Sequence, residues 1–258
     1  MKPNRMKSDL RAGRTIHGTI CTQGTADSAE LAARAGFDFV LMDWQHGGFN
    51  RESVREAARA VQTTDATPMA RTSATSDPGQ IEYLLDSGYP ALTFPMVNTV
   101  EHARRLVDAA YYPPRGHRSI GNCRATLAFG DDYYVHANDE LLLVPYLENV
   151  EAVENAAAIM ATDGIDGCII GTSDLTASLG LPLTKLGGTD NPDLDRAIER
   201  IYDATVNAGK IPGIYVNTPE QAKRRADQGF HCIVVGYEFG LLTAAMRGLV
   251  GKLKSRGH

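Results

Sequence analysis

Two acidic residues close apolar runs in the middle of the chain. Leu141-Leu142-Leu143-Val144-Pro145-Tyr146-Leu147 runs into Glu148, and Asp166-Gly167-Cys168-Ile169-Ile170-Gly171-Thr172-Ser173 runs into Asp174. An acid at the far end of a buried strand adds nothing to packing. Two carboxylates drawn together repel unless a cation lies between them, and hard divalent ions take such oxygen ligands. Two further strand-like runs end in polar groups, one in Asp43-Trp44-Gln45-His46 and one in Arg71. Arginine grips a carboxylate through paired hydrogen bonds, and histidine moves protons near neutral pH. A divalent metal on Glu148 and Asp174 keeps positions open for a chelating ligand. With Arg71 and His46 beside it, the set fits a 2-oxo acid held through its carbonyl and carboxylate. The metal then stabilises an enolate made by deprotonation or carbon–carbon cleavage. Lys210 precedes a strand, and Lys185 and Lys223 sit in loop or helix contexts, so Schiff-base chemistry is disfavoured.

These groups need a scaffold that gathers strand ends. Apolar, β-branched runs at 16–22, 37–43, 67–72, 91–97, 141–148, 165–171, 211–216 and 231–236 predict strands. Amphipathic segments at 27–35, 53–62, 78–86, 101–110, 150–160, 194–208, 219–228 and 241–253 predict the helices between and after them. Near-continuous apolar strands alternating with helices make a parallel sheet covered by helices. Gly36, Gly88, Gly164, Gly209 and Gly229 each follow a helix and precede a strand, as C-caps do. Asp77-Pro78, Asn191-Pro192 and Thr218-Pro219 carry a polar cap with proline at the first helical position. The expected fold is a (β/α)8 TIM barrel forming one domain over residues 1–258, whose active site lies at the C-terminal ends of the strands. A doubly wound sheet is the alternative, but no GxGxxG follows the first strand. The 111–140 connection is longer than a barrel needs. It holds Arg115 and Arg118, either anion-binding or solvated, and 131–140 reads as a short helix.

Composition narrows the partners. The chain has 258 residues with 43% apolar and 22% charged content, ordinary for a globular protein. A net charge of -5 argues against nucleic acid or an acidic membrane surface as partner. No 18-residue apolar run is present, so no membrane span is expected. The opening residues lack the apolar core of a signal peptide. Cys21, Cys123, Cys168 and Cys232 have no CxxC spacing and read as small core residues in a reducing compartment, hence a cytoplasmic location.

Four segments carry a resemblance. Phe37-Asp38-Phe39-Val40-Leu41-Met42-Asp43-Trp44-Gln45-His46, Phe94-Pro95-Met96-Val97-Asn98-Thr99, Tyr112-Pro113-Pro114-Arg115-Gly116 and Gly171-Thr172-Ser173-Asp174-Leu175-Thr176-Ala177-Ser178-Leu179-Gly180 resemble, in order, motifs of the HpcH/HpaI family of class II pyruvate aldolases. The resemblance implies reversible cleavage of a 4-hydroxy-2-oxo acid to pyruvate and an aldehyde through a metal-stabilised pyruvate enolate, with Mg, Mn or Co as cofactor. By position, Glu148 and Asp174 match the metal ligands, and Arg71 matches the arginine that binds the oxo acid and steadies the enolate. His46 matches the histidine that takes the hydroxyl proton, and Asp86 falls on its carboxylate partner. Thr172 and Ser173 match the amides that hold the pyruvate carboxylate. The family also implies a homohexamer, a trimer of dimers, with the last helix exchanged between neighbours. Gln45, Tyr146 and Thr172 depart from residues common in the family (glutamate, glutamine and proline), and an extra residue stands between Arg71 and Asp77. The alternative on the same site is oxaloacetate decarboxylation or another enolate transfer, as in macrophomate synthase. Acyl-CoA lyase chemistry would want a basic nucleotide groove, and a non-enzymatic ligand-binding barrel would not need four convergent polar strand ends.

Overall fold

The computed structural model describes residues 1–182 and 191–254; Lys185 lies outside them. Nine strands among the described residues form a parallel α/β sheet: β1 (Ile16–Cys21), β2 (Phe39–Asp43), β3 (Thr67–Arg71), β4 (Ala91–Thr93), β5 (Leu142–Leu143), β6 (Tyr146–Leu147), β7 (Gly167–Ile170), β8 (Ile211–Val216) and β9 (Cys232–Tyr237). Their order is β5-β4-β3-β2-β1-β9-β8-β7-β6, so strands consecutive in the chain are neighbours in the sheet except β5 and β6, and the first strand pairs with the last. That order has no strand reversal of the doubly wound kind. The two ends of the series, β5 and β6, are separated by Val144 and Pro145 alone. The expected strand at 141–148 is thus two short pieces, because proline has no N–H to give a ladder. The segment still bonds on both sides. The amides of Val144 and Tyr146 donate to the carbonyls of Leu92 and Phe94, and those of Ile169 and Gly171 donate to Pro145 and Leu147. A TIM barrel fits this arrangement broadly.

Helices follow the strands much as the periodicity predicts. They are α1 (Arg5–Arg11), α2 (Ala26–Arg34), α3 (Arg51–Val61), α4 (Pro78–Asp86), α5 (Val100–Ala110), α6 (Arg124–Phe129), α7 (Tyr133–Glu140), α8 (Val150–Met160), α9 (Thr172–Ser178), α10 (Pro192–Asn207), α11 (Pro219–Asp227) and α12 (Glu238–Lys254). The five glycines expected to end helices all have positive φ, from 67° to 104°. Asp77, Asn191 and Thr218 each accept a hydrogen bond from a first-turn amide, so the proline starts are capped. Three helices exceed the sequence expectation: α1, α6 and α9.

The core has two layers. One packs the outer sheet face against the helices; the other fills the inside of the sheet with Phe39, Leu41, Met69, Val144, Tyr146, Ile169, Tyr215 and Val234. Helix α1 joins this inner layer through Met6 and Leu10, at the end where the strands begin. Lys7, also on α1, is buried there with Asp166 3.2 Å away. The inner layer is thereby closed at one end and open at the other. Helices α6 and α7 turn the 111–140 connection into a satellite core of Tyr112, Cys123, Ala125, Phe129, Tyr133 and Ala137. Along α12, Phe239, Leu241, Leu242, Met246, Leu249, Val250 and Leu253 are exposed in the single chain.

Candidate active site

The two-residue period of a strand builds the site. Inner positions run Phe39, Leu41, Asp43 on β2; Met69, Arg71 on β3; and Val144, Tyr146, Glu148 along and beyond β6. Each row is apolar until its last member, so the polar groups emerge together where the inner layer ends. They line a cavity of about 390 Å³ with Ile20, Thr22, His46, Gly171, Thr172, Ser173, Asp174, Tyr215 and Tyr237. His46, Arg71, Glu148, Thr172, Ser173 and Asp174, read from separate motifs, meet in this one pocket.

Arg71 and Asp43 form a buried, two-point ion pair. Nε of Arg71 donates to Oδ1 of Asp43 at 2.9 Å, and Nη2 donates to Oδ2 at 2.7 Å. Oδ1 also accepts from the amides of Gln45 (3.0 Å) and His46 (3.3 Å), which fixes the turn carrying His46. Burial pushes the Asp43 carboxyl up, but the hydrogen bonds and charge of Arg71 outweigh it and hold the group below its ordinary value. Arg71 responds in the same way: burial opposes its charge, and Asp43 more than restores it. The pair spends two of the five guanidinium N–H groups, and three remain for a ligand.

Glu148 is in the opposite condition. It is 2% exposed, and burial pushes its carboxyl up to about 7. The Met96 amide donates to Oε1 at 2.7 Å and lowers the value, while the charge of Asp174 raises it further. Met96 reaches this carboxylate from φ 54°, a region few non-glycine residues visit. Gly171 makes the close approach possible on the other side: a Cβ there would lie 2.3 Å from Oε2 of Glu148. Asp174 is exposed in the first turn of α9. This donor set suits a divalent ion. Two acidic groups face one pocket, one of them raised chiefly by its burial, and hard ions favour oxygen ligands. With Glu148 and Asp174 as its protein ligands, such an ion would keep positions open for other oxygen ligands.

Asp86 is placed elsewhere. It ends α4, and a helix that leaves β3 at the open end delivers its last residue to the closed end, where β4 starts. Its Oδ1 accepts from Nη2 of Arg118 at 2.7 Å, so it does not pair with His46 of the same chain. Arg118 is buried, lies 4.4 Å from the Tyr112 ring centroid and donates to the Tyr133 hydroxyl. Arg115 stacks on Tyr111 and pairs with Asp163. Neither arginine lines the pocket.

Asp43, Tyr146, Tyr215, Tyr237 and Gly171 are site residues that the motif reading did not assign. A signal for Asp43 was present, since it ends an apolar run as Glu148 does.

The model of the HpcH/HpaI aldolase/citrate lyase family matches residues 22–245. The chain belongs to this family. It is 35% identical over 252 residues to a 4-hydroxy-2-oxo-heptane-1,7-dioate aldolase of Shigella sonnei, covering 96% of this chain and 94% of the relative. A solved structure of a family protein from Burkholderia cenocepacia superposes with a TM-score of 0.90 at 29% identity, covering 97% of this chain and 99% of that one. Macrophomate synthase superposes with a TM-score of 0.86 at 26% identity, over 99% and 91% of the two chains. The chain is accordingly a carbon–carbon lyase of the aldolase kind.

Proposed function

We propose that this chain cleaves a 4-hydroxy-2-oxo acid, reversibly, to pyruvate and an aldehyde through a pyruvate enolate. The observation that carries the reading is the state of Glu148: a buried carboxyl, repelled by Asp174, in a pocket whose guanidinium already holds Asp43. That geometry asks for a divalent cation (Mg, Mn or Co) on Glu148 and Asp174. When bound there, the cation would draw electron density from the substrate's carbonyl and carboxylate.

The chain's own residues supply the remaining steps. Thr172 and Ser173, at the start of α9, would receive the carboxylate of the oxo acid. His46 would take the proton from the C4 hydroxyl, the C3–C4 bond would break, and its electron pair would move toward the C2 oxygen. The N–H groups of Arg71 not spent on Asp43 would stabilise the negative charge that develops there. Return of a proton to C3 then yields pyruvate. Oxaloacetate decarboxylation passes through the same enolate, but the names of the aligned relatives favour cleavage.

The same reading takes β5 and β6 as one strand of a closed (β/α)8 barrel forming one domain. It also takes the exposed apolar residues of α12 as a surface for neighbouring copies in a homohexamer, with that helix exchanged between them. In such an assembly Asp86 would serve His46 of a second copy, since it does not reach its own. No helix among the described residues is long and apolar enough to cross a membrane. Four free, buried cysteines support a cytoplasmic location. The test is a pyruvate-release screen over 4-hydroxy-2-oxo acids with neutral and with acidic tails. Release from at least one class supports the reading, and release from none removes it.

A further inference from the structure

The turn that carries His46 is anchored from the last strand of the sheet. The His46 ring makes no hydrogen bond with the described residues, so its position follows that of its backbone. Oδ1 of Asp43 holds one side of the turn through the amides of Gln45 and His46. The other side rests on the loop after β1, where the Gly48 amide donates to the Thr22 carbonyl at 2.8 Å. The two backbones are so close that a Cβ on Gly24, at φ 74°, would stand 2.4 Å from the Gly48 carbonyl carbon. That loop is in turn gripped by Glu238, the first residue of α12. Its Oε1 accepts from the amides of Thr22 (2.6 Å) and Gln23 (2.7 Å), and its Oε2 accepts from the Thr22 hydroxyl (3.0 Å) and the Phe239 amide (2.7 Å). Bonds of this kind to a carboxylate are roughly twice as strong as neutral ones. Strand β9 is shaped to deliver the side chain. Cys232 and Val234 point into the inner layer, and the pairing then slips, from Gly18 opposite Val234 to Ile20 opposite Tyr237. The slip takes up one extra residue on β9, with Gly236 at φ 61°, so Tyr237 joins the pocket and Glu238 follows onto the β1 loop.

We propose that Glu238 is a positioning residue for aldol cleavage: by fixing the β1 loop it fixes the turn on which His46 meets the C4 hydroxyl. This rests on the reading of His46 as the base above. Glu238 does not itself line the pocket, and its hydrogen bonds go to none of Arg71, Glu148 and Asp174. Its loss therefore reaches the step that uses His46 and spares the enolate machinery. The loop requires its length more than its charge. Glutamine keeps the oxygen that the two amides use, whereas aspartate keeps the charge and falls one methylene short.

The test measures cleavage of a 4-hydroxy-2-oxo acid and decarboxylation of oxaloacetate, both with Mn, on wild type, Glu238→Ala, Glu238→Asp, Glu238→Gln, His46→Ala and the double variant of Glu238→Ala with His46→Ala. Glu238→Ala is expected to lose cleavage by about 10²-fold, the cost of misplacing a reacting group by about 1 Å, and to keep its decarboxylation. Glu238→Asp should show the same selective loss in weaker form, and Glu238→Gln should stay close to wild type in both reactions. On the His46→Ala background Glu238→Ala should cost nothing further, because a base already absent cannot be misplaced. Equal loss of both reactions in Glu238→Ala overturns the proposal, since the residue then serves the fold or the whole pocket. So does unchanged cleavage in folded Glu238→Ala, or a further loss on the His46→Ala background as large as on wild type. Where Glu238→Ala does not fold, Glu238→Asp and Glu238→Gln decide: selective loss of cleavage in the aspartate variant alone supports the proposal, and equal rates in the two overturn it. Parallel loss of both reactions in His46→Ala, where Glu238 is intact, removes the reading of His46 as the hydroxyl's base, and the role of Glu238 with it.

Discussion

Replacing Glu148 by glutamine should make the metal-free protein more stable at neutral and alkaline pH while removing a ligand of the proposed cation. Burial carries the Glu148 carboxyl from 4.5 to about 7 in the folded chain. A carboxyl whose folded value lies above its unfolded value holds its proton more tightly in the native state. Its stabilising contribution is fully present below pH 4.5 and is lost as pH rises through about 7. At 1.36 kcal/mol per unit the loss is about 3 kcal/mol for the whole transition. For a chain of this size that corresponds to about 6–12 °C in melting temperature. Glutamine keeps an oxygen for the Met96 amide but cannot ionise, so the Glu148→Gln protein lacks this loss. The assay is thermal unfolding of both proteins in chelator at several pH values between 4.5 and 8.5. Other titrating groups are common to both proteins and cancel in the difference. The variant should match wild type near pH 4.5 and exceed it progressively toward pH 8.5. Adding Mn should raise the wild-type curve most at high pH and leave the variant unmoved, because the ion binds the deprotonated carboxylate. A difference that does not change with pH would refute the reasoning, since Glu148 would then carry no raised value to relieve.

Three further outcomes follow from the pocket. Arg71→Ala should abolish exchange of pyruvate methyl protons with solvent as well as cleavage, and Asp43→Asn should do nearly the same, because Asp43 holds the guanidinium in place. The double variant should be little worse than either single one when exchange is followed by NMR, as members of one unit are not additive. His46→Ala should lose cleavage by about 10²–10⁴-fold, the usual worth of a general base, yet keep much of its oxaloacetate decarboxylation, where no hydroxyl proton leaves; parallel loss of both rates would move His46 to the enolate step. Mixing unfolded His46→Ala and Asp86→Asn chains and refolding them together should recover part of the cleavage rate if Asp86 serves a neighbouring copy, and no recovery would tell against that arrangement.

The strand ends were the legible part of this chain. A strand exposes its last inner side chain where the core stops, so Arg71, Glu148 and the turns holding His46 and Asp174 stand out as polar interruptions of apolar runs. Packing order and hydrogen-bond accounting were not legible. Pro145 divides a strand that reads as continuous, because bonding on both flanks keeps the segment extended despite the missing donor. Helix α1 is short and half charged, and its value lies in Met6 and Leu10 plugging the inner layer, which local periodicity does not show. Motif position pairs Asp86 with His46 without saying whether within one copy or between two, and only the path of α4 shows that in its own chain Asp86 lies at the other end of the sheet, on Arg118. Asp43 passed as a neighbour of His46 when it is the anchor of Arg71.

The most direct test of the two-carboxylate metal reading is release of pyruvate from a 4-hydroxy-2-oxo acid by protein stripped of metal, before and after Mn is returned, with metal content measured in the same samples. The account predicts no release above background from stripped wild type, full recovery on Mn, and no recovery in Glu148→Gln or Asp174→Asn despite an intact fold. Undiminished release from wild type shown by elemental analysis to hold no metal would contradict it.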